Sequence, residues 1–335
     1  MIDLHLHLDG SLTPEDILAL AEVGSVPLPC RDAETLRPML QAEADCGSLA
    51  EYLEKFDLPL QVLQMEQTIT LAVYRLVKRL AKDGLAYAEI RFAPQLHLQQ
   101  GLNQRQVVAA AVKGLESATA EYKMPAQLIL CCMRFADNQE ANRETVRIAK
   151  EFLGKGVCLV DLAGPEAAFP TENFRDIFGL AKELEVPFII HAGEAAGAES
   201  VWQALELGAQ RIGHGVRTTE DAALVATLAE RKIPLEMCFT SNLQTKAVAK
   251  AENYPLCSFL EQGIVVTVNT DNMTVSGTDL RQEYRALQKA FGLSENLLIQ
   301  LACNAAEAAY LPREQKEELK QKICVQFHNW YAGGQ

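Results

Sequence analysis

Histidines stand at the ends of apolar segments, where metal chemistry is possible. Four of the six histidines lie at or just beyond the C-terminal end of a predicted strand: His5, His7, His191 and His214. His5 and His7 are two residues apart, and the alternation of side chains along a strand puts both imidazoles on one face. Neutral imidazole is a good ligand for Zn²⁺, so this pair predicts part of a metal site. Taken alone, the pair is also compatible with chance or with packing.

A third histidine and an aspartate extend this prediction. His191 ends the fifth predicted strand and Asp271 ends the eighth. Three ring nitrogens and one carboxylate would then converge from strands that are far apart in the chain. A five-coordinate ion held by these groups keeps one position open for water, as a catalytic site requires. The spacing therefore predicts a candidate metal site at His5, His7, His191 and Asp271.

Two further groups near these ligands are candidates for proton transfer. Glu194 follows His191 by three residues, so its carboxylate can face the same centre without binding the metal and act as a general acid or base. The alternative is a carboxylate that favours the start of a helix. His214 lies between Gly213 and Gly215, which allow a close backbone approach. It could hold or deprotonate a water, serve as a further ligand, or be a buried histidine with a structural role.

Other charged residues favour structural roles. His97 lies in a polar segment and His328 stands near Trp330 close to the C-terminus, so both are expected to be structural or solvated. Glu89 and Arg91 share one face of the second predicted strand. This spacing predicts an ion pair inside the protein rather than a catalytic pair.

Short apolar segments alternate with helical ones along the chain, which indicates a parallel sheet covered by helices. The predicted strands span residues 2–5, 85–92, 127–134, 156–162, 187–191, 211–214, 234–239 and 264–270. The predicted helices span residues 14–24, 104–122, 140–153, 171–184, 200–207, 219–231, 278–291 and 314–324. Eight strands predict a single (β/α)₈ TIM barrel, with its active site at the C-terminal ends of the strands. The alternative is an open doubly wound sheet, but no glycine-rich phosphate loop follows the first strand.

The segment from residue 10 to residue 84 interrupts this alternation after the first strand. Ser48 and Glu51 form a capping-box pattern before an apolar helical face, and Pro59 is expected to interrupt that helix. Long insertions after a strand form lids in barrel enzymes. We expect residues 10–84 to be a helical lid insertion within one domain that spans residues 1–335.

The composition excludes several classes of protein. Of the 335 residues, 49% are hydrophobic and 22% are charged, which is typical of a globular chain. The net charge of −13 disfavours nucleic acid and anionic lipid surfaces as partners. No stretch approaches the roughly 18 apolar residues of a membrane span. The nine cysteines include no C-x-x-C pair and several lie in apolar segments, so we expect buried thiols in the reducing cytoplasm.

Seven short motifs, taken in order, resemble one known family. They are His-Leu-His-Leu-Asp-Gly-Ser-Leu (5–12), Ser-Leu-Ala-Glu-Tyr-Leu-Glu-Lys-Phe (48–56), Asp-Leu-Ala-Gly (161–164), His-Ala-Gly-Glu (191–194), Gly-His-Gly (213–215), Thr-Ser-Asn (240–242) and Asn-Thr-Asp (269–271). This series closely resembles the adenosine deaminase family of the amidohydrolase superfamily. The resemblance extends from residue 1 to about residue 310, so it covers nearly the whole chain.

The resemblance implies a (β/α)₈ barrel that uses one Zn²⁺ ion to deaminate a purine nucleoside in purine metabolism. Its metal ligands would be His5, His7, His191 and Asp271. Glu194 would protonate purine N1, and His214 would orient or deprotonate the attacking water. Hydrolysis at C6 suits these roles, because Zn²⁺ can lower the pKa of a bound water to about 7 and attack at C6 moves charge onto N1.

The resemblance also implies contacts with a small-molecule purine nucleoside. The backbone N–H of Gly164 would meet purine N3. Asp9, with His7 nearby, would meet the ribose 5′-hydroxyl. Residues 48–56 would form an apolar lid over the purine. The expected substrates are adenosine and 2′-deoxyadenosine, with inosine or 2′-deoxyinosine and ammonia as products.

This sequence departs from the family at positions that bear on the substrate. Asn272 follows Asp271 where many members have a second aspartate, and its amide can donate a hydrogen bond to purine N7. Pro165 stands where the family often has aspartate, and Phe239 where it often has proline. The nearer alternative substrates are therefore other 6-aminopurines, such as adenine or a 5′-modified adenosine.

The same residues bear on two other classes of barrel protein and on one nucleotide substrate. A catalytically silent nucleoside-binding barrel would lack a metal ligand or Glu194, and all of these are present. A binuclear amidase-type barrel usually needs a bridging lysine on the fourth strand, and Val160-Asp161-Leu162 offers none. AMP is disfavoured because the Asp9 carboxylate would repel a 5′-phosphate. The oligomeric state does not follow from the sequence.

Overall fold

The computed structural model of the chain describes residues 1–43, 46 and 49–333. The strands are β1 (Ile2–His7), β2 (Tyr87–Phe92), β3 (Ala126–Met133), β4 (Val157–Ala163), β5 (Ile190–Ala192), β6 (Ile212–His214), β7 (Leu235–Met237) and β8 (Val266–Val268). The α-helices are α1 (Pro14–Gly24), α2 (Ala33–Leu40), α3 (Leu49–Leu53), α4 (Asp57–Val62), α5 (Glu66–Lys82), α6 (Gln104–Tyr122), α7 (Gln139–Phe152), α8 (Arg175–Glu183), α9 (Ala198–Leu207), α10 (Ala222–Arg231), α11 (Phe239–Gln244), α12 (Leu256–Glu261), α13 (Leu280–Phe291), α14 (Glu295–Ala308) and α15 (Arg313–Ala332).

The strands form a closed parallel barrel. Strands β1 to β4 pair in order as one sheet, and strands β5 to β8 pair in order as a second. On one side, the Val160 N–H donates to the Pro187 carbonyl at 3.1 Å and the Ile189 N–H donates to the Val160 carbonyl at 3.0 Å. On the other side, Leu6 forms a parallel bridge with Asp271. The (β/α)₈ prediction is confirmed, and the open-sheet alternative is wrong.

All eight predicted strands are present, but the last four are shorter than predicted. Strand β7 ends at Met237, whereas a strand was predicted to residue 239, and Phe239 instead begins helix α11. Strand β8 ends at Val268, and three residues later Asp271 has a φ of 60°. A residue in the left-handed region cannot continue a strand. The strands therefore end where the chain turns to present side chains at the mouth of the barrel.

The helices surround this barrel. The predicted helix after Thr13 is confirmed as α1: the Asp16 N–H donates to Thr13 Oγ1 at 3.2 Å, and the Thr13 N–H donates to Asp16 Oδ2 at 3.1 Å. Helices α2, α5 and α14 were not predicted, and α15 extends well beyond the predicted end at residue 324. Within the described ranges, no helix has the length and apolar character needed to cross a membrane.

The chain between β1 and β2 contains α1 to α5. Helix α5 packs beside α6 and leads into β2, which is the position of a crossover helix in this fold. A 3₁₀ turn at Glu54–Phe56 separates α3 from α4, just before Pro59. Proline has no N–H with which to continue the helical hydrogen bonds, so the predicted interruption is confirmed. The predicted capping residue Ser48 lies outside the described residues.

Buried charges fill the centre of the barrel in a different pairing from the one predicted. Arg91 donates from Nη1 to Asp161 Oδ2 at 2.9 Å and from Nη2 to Glu236 Oε2 at 2.8 Å. Glu89 pairs with Arg211 instead of Arg91. Asp161 lies on β4, Glu236 lies on β7 and Arg211 directly precedes β6, so none of these partners is on a strand paired with β2. Side chains two positions apart on one strand are separated by about 6.6 Å, and both Glu89 and Arg91 meet partners across the barrel interior instead of each other.

The two remaining histidines have structural or surface positions. His97 is buried, and its Nδ1 lies 2.9 Å from the Leu63 carbonyl, so the solvated alternative for this residue is wrong. His328 is exposed, and its Nδ1 lies 3.0 Å from Glu295 Oε1. Neither residue lines the cavity described below.

We predict that Arg91→Met lowers the free energy of unfolding by about 3–5 kcal/mol, because Asp161 would lose its guanidinium partner in a fully buried site. The matched control is Arg105→Met, which breaks an exposed ion pair with Glu151 and should change the free energy of unfolding far less. Denaturant unfolding of both variants measures the difference. Equal losses for the two variants would contradict the prediction.

Candidate active site

The C-terminal ends of β1, β5 and β8 bring the four predicted metal ligands together. His5 Nε2 and His7 Nε2 each lie 3.4 Å from Asp271 Oδ1. His7 Nε2 also lies 3.3 Å from His191 Nε2. Donor atoms bound about 2.0–2.1 Å from one tetrahedral ion are themselves about 3.4 Å apart. The spacing of these side chains is therefore that of ligands around a single ion.

Backbone hydrogen bonds hold Asp271 between the two ligands of β1. The His7 N–H donates to the Asp271 carbonyl at 2.8 Å, and the Asp271 N–H donates to the His5 carbonyl at 2.8 Å. Ser241 Oγ donates to Asp271 Oδ2 at 2.6 Å, which leaves Oδ1 facing the imidazoles. Strand β1, near the start of the chain, and the residues that follow β8 thus meet at the predicted ligands.

Buried carboxylates stand behind two of the ligand rings. His5 Nδ1 lies 3.0 Å from Glu236 Oε2, and His191 Nδ1 lies 2.8 Å from Asp161 Oδ2. A carboxylate at one ring nitrogen directs the other nitrogen toward a metal. Burial would lower the pKa of His191, but the Asp161 carboxylate raises it above its ordinary value. Metal binding at His191 would therefore displace a proton.

The pKa shifts of the other predicted ligands, His5, His7 and Asp271, favour the protonation states that metal binding needs. Burial, together with the charges of Arg91 and His191, lowers the pKa of His5 to about 4. Burial also lowers the pKa of His7 well below its ordinary value. Burial alone would raise the pKa of Asp271, but the adjacent His5 imidazole, with the charges of His214 and His7, holds it well below its ordinary range. Neutral imidazoles and an ionised carboxylate are the metal-binding forms.

A buried nitrogen without a partner marks the centre of this cluster. His5 Nε2 is buried and has no hydrogen-bond partner in the part of the chain that the structure describes. Such an atom is costly unless another group satisfies it. His214 also reaches this centre, because one ligand atom from each of His5, His191, His214 and Asp271 lies within 4.8 Å of the others. The donor set fits a metal ion, with either His7 or His214 completing it.

Glu194 and His214 lie next to each other beside the ligands. Glu194 Oε2 is 3.6 Å from His214 Nε2. Helix α9 begins only at Ala198, so Glu194 is not in its first turn and the helix-start interpretation is wrong. Burial raises the pKa of Glu194, although the charge of His214 opposes the shift. This direction favours the protonated form that a general acid needs.

Two neighbours determine which nitrogen of His214 carries hydrogen. Asn242 Nδ2 lies 2.9 Å from His214 Nδ1, and the Tyr254 hydroxyl donates to Asn242 Oδ1 at 3.3 Å. With its oxygen occupied as an acceptor, the asparagine donates from Nδ2, so His214 Nδ1 accepts. A neutral ring then carries its hydrogen on Nε2, the atom that faces Glu194.

A cavity of about 210 Å³ opens at these side chains. Eight of the nine predicted site residues line it: His7, Asp9, Gly164, His191, Glu194, His214, Asp271 and Asn272. The ninth, His5, is fully buried. Among the described residues, the lining contains no lysine or arginine, and much of it is apolar. Apolar walls with a few convergent polar groups are typical of a small-molecule site.

The residues predicted to contact substrate have distinct environments. Burial raises the pKa of Asp9 to about 6. Gly164 has a φ of 110°, a conformation that favours glycine. Asn272 lies directly against Gly10, where an added Cβ would come within 1.9 Å of Asn272 Oδ1. The backbone of Gly10 therefore helps to fix the position of the Asn272 amide.

The structure adds pocket residues that were not predicted, among them Leu96, Met133 and Phe135. Tyr52 of α3, within the segment predicted to form the lid, also lines the cavity, and its hydroxyl lies 2.6 Å from Ser276 Oγ, beyond β8. Pro165 also lines the cavity. Phe239 does not line it and instead packs against the Tyr254 ring, with centroids 4.9 Å apart. Of the two departures from the family at these positions, only Pro165 can touch a ligand in this cavity.

The closed barrel and its histidine–aspartate cluster define an amidohydrolase-type barrel. A family model described as "Adenosine deaminase" matches residues 1–326. An adenosine deaminase of Haemophilus ducreyi is 50% identical over 323 residues, which cover 95% of this chain and 94% of that relative. The chain therefore belongs to the adenosine deaminase family and is a hydrolytic deaminase.

Two solved structures are similar over nearly their whole lengths. The adenine deaminase of Arthrobacter aurescens superposes with a TM-score of 0.88 at 28% identity, covering 98% of each chain. The N6-mAMP deaminase of Arabidopsis superposes with a TM-score of 0.84 at 26% identity, covering 97% of each chain. Deaminases named for different purine substrates thus share this fold, so the fold alone does not select the substrate.

We predict that Ser241→Ala weakens Zn²⁺ binding by about tenfold, because Asp271 Oδ2 loses its buried hydrogen bond. Competition with a chromogenic chelator measures the Zn²⁺ dissociation constant. The matched control is Ser117→Ala, whose hydroxyl donates to the Lys113 carbonyl on an exposed part of α6. Unchanged affinity in Ser241→Ala, or an equal loss in the control, would contradict the prediction.

Proposed function

We propose that this chain is a zinc-dependent deaminase that converts adenosine and 2′-deoxyadenosine to inosine and 2′-deoxyinosine, with release of ammonia. The main observation is the cluster of imidazoles and one carboxylate that meets the buried acid Glu194 at one end of a small cavity. The relative with 50% identity carries the name adenosine deaminase, which supports this choice of substrate.

We assign one Zn²⁺ ion to His5, His7, His191 and Asp271. Imidazole nitrogens and a carboxylate oxygen suit Zn²⁺, and the donor separations of 3.3–3.4 Å support one ion. The unpartnered His5 Nε2 gives a reason for an ion to bind at this point. When bound, Zn²⁺ supplies a nucleophile at neutral pH by lowering the pKa of water.

Glu194 supplies the proton at purine N1 in this proposal. Addition of water to C6 breaks the aromatic ring and moves an electron pair onto N1, where a proton donor stabilises the developing charge. His214 directs its Nε2 hydrogen toward the same space and orients the oxygen of the water by donating to it. The attacking water gives one proton to the leaving amino group, and the proton of the new C6 hydroxyl returns to Glu194, so that ammonia departs and a C6 carbonyl forms while N1 keeps its proton.

The lining of the cavity supports the substrate contacts that we infer from the family resemblance. We assign the Gly164 N–H to purine N3, the Asn272 amide to N7, and Asp9 with nearby His7 to the ribose 5′-hydroxyl. All four residues line the same cavity. The Asp9 carboxylate, together with the absence of lysine and arginine from the described lining, disfavours a substrate with a 5′-phosphate.

We infer that part of the insertion at residues 10–84 is a lid within a single domain of residues 1–335. Four side chains of α3, α4 and the turn between them reach the cavity: Tyr52, Leu53, Phe56 and Leu60. Three of these side chains are apolar, so they would exclude water from the purine during the reaction.

A cytoplasmic location is part of the same proposal. Cys131, Cys132 and Cys158 are buried thiols that form no disulfide. Burial raises the pKa of each, which keeps them protonated and unreactive. Thiols that remain reduced are typical of a reducing compartment.

A second candidate function is deamination of adenine or of a 5′-modified adenosine. The solved neighbours include an adenine deaminase and an N6-mAMP deaminase. In this chain, Asn272 and Pro165 line the cavity at positions where the family often has aspartate. These two residues could shift the preference among purines while leaving the metal ligands in place.

We predict that the zinc-loaded protein deaminates adenosine and 2′-deoxyadenosine with a kcat/KM at least about 100-fold above those for adenine and AMP. The reason is that Asp9 pairs with a 5′-hydroxyl but repels a phosphate, and adenine lacks the ribose that makes this contact. Loss of the adenine absorbance, measured in parallel for the four compounds, gives the ratios. A higher kcat/KM for adenine or AMP would establish the second candidate instead.

We predict that Glu194→Gln lowers kcat by about 10²–10⁴-fold, because the amide cannot donate an acidic proton to N1. The Zn²⁺ content should remain that of the wild type, since the ligands are untouched. The matched control is Glu199→Gln, an exposed carboxylate near the same loop that should retain wild-type kcat. Wild-type rates in Glu194→Gln would remove Glu194 from its proposed role.

A further inference from the structure

A single buried carboxylate holds the loop that carries Glu194. Glu166 lies in the loop after β4, two residues beyond Gly164, and is 2% exposed. Four consecutive backbone N–H groups donate to its carboxylate: Gly193 to Oε1 at 2.8 Å, and Glu194, Ala195 and Ala196 to Oε2 at 3.0, 2.7 and 2.9 Å. Every N–H of this turn therefore points to one side chain.

This contact is chemically specific. Residues 193–196 lie between the end of β5 and the start of α9, so their N–H groups are outside the ladder of the strand and the first turn of the helix. Successive N–H groups of a turn form a concave anion-binding site, and an ionised carboxylate offers acceptors without a competing donor. Glu166 fills that concave site from within the chain.

Other contacts fix the carbonyl side of the same segment. Arg217 Nε donates to the Glu194 carbonyl at 3.1 Å, and Arg134 Nη2 donates to the His191 carbonyl at 2.7 Å. The peptide units around Glu194 are thus held by a carboxylate on one side and by guanidinium groups on the other. The backbone that carries Glu194 has little freedom to shift.

We propose that Glu166 is a positioning residue for the deamination, which holds Glu194 at the distance from the purine that proton donation to N1 requires. The loop of Glu166 also lines the cavity through Gly164 and Pro165. One side chain therefore joins the loop assigned to purine N3 to the loop that carries the acid for N1. The inference rests on the proposed function, because it requires Glu194 to be that acid.

The expected effect follows from the sensitivity of proton transfer to geometry, where a displacement of about 1 Å can cost about 10²-fold in rate. Glu166→Gln keeps the shape of the side chain but turns an N–H₂ group toward N–H donors, which displaces the turn. We expect its kcat to fall at least tenfold, with KM within about threefold of the wild type and one Zn²⁺ per chain retained. Glu166→Asp keeps the charge on a shorter side chain and should restore part of the loss.

The matched control is Glu199→Gln. Glu199 is an exposed carboxylate that accepts a single N–H, that of Gly197, at 3.3 Å, close to the same loop. The Glu199→Gln variant should have the kcat and KM of the wild type. Steady-state kinetics with adenosine, the Zn²⁺ content and the melting temperature are measured on each purified variant. A purely structural role would lower the melting temperature and leave the kcat of folded, zinc-loaded enzyme unchanged.

The outcomes separate this inference from the proposed function. Wild-type kcat in folded, zinc-loaded Glu166→Gln would overturn the inference, and so would a loss of activity that merely follows a loss of Zn²⁺. If Glu166→Gln does not yield folded protein, Glu166→Asp decides by the same criterion: a lower kcat at constant KM supports positioning, and an unchanged kcat refutes it. A wild-type enzyme inactive on adenosine would refute the proposed function before any variant is compared.

Discussion

Arg91 places one guanidinium between the two carboxylates that face the ligand rings. It donates to Asp161 and Glu236, and these stand against Nδ1 of His191 and of His5. Burial would raise the pKa of Asp161, but the charges of His191 and Arg91 hold it well below its ordinary value. A buried ionised carboxylate is costly without such a partner. The orientation of two of the proposed metal ligands thus depends on a cation that does not line the cavity.

Local sequence predicts those site residues that combine a metal-binding side chain with a position at the end of a predicted strand. His5 and His7 combine a metal-binding side chain with the spacing of one strand face, and His191 and Asp271 follow apolar segments. The barrel fold brings these strand ends to one place, so the fold and the ligands support each other. The resemblance to a known family added the roles of Glu194 and Gly164, which spacing alone left open.

The supporting residues could not be predicted in this way, because their partners are distant in the chain. Arg91 meets Asp161 across 70 positions and Glu236 across 145. A buried acid that orients an imidazole has the same local pattern as any other acid in an apolar strand. The expected pair of Glu89 with Arg91 is wrong for this reason, since sequence spacing identifies a shared strand face but not the partner across the barrel interior.

The same backbone contacts close the barrel and assemble the candidate metal site. The backbone of Asp271 lies between His5 and His7, so the contacts that complete the ring also bring the carboxylate to the imidazoles. During synthesis, the amino-terminal strand must wait for more than 260 further residues before it finds this partner. Until then, the first strand keeps one edge unpaired and its histidines lack a complete set of donors. A chain truncated before Asp271 would thus lack the carboxylate that completes this candidate donor set.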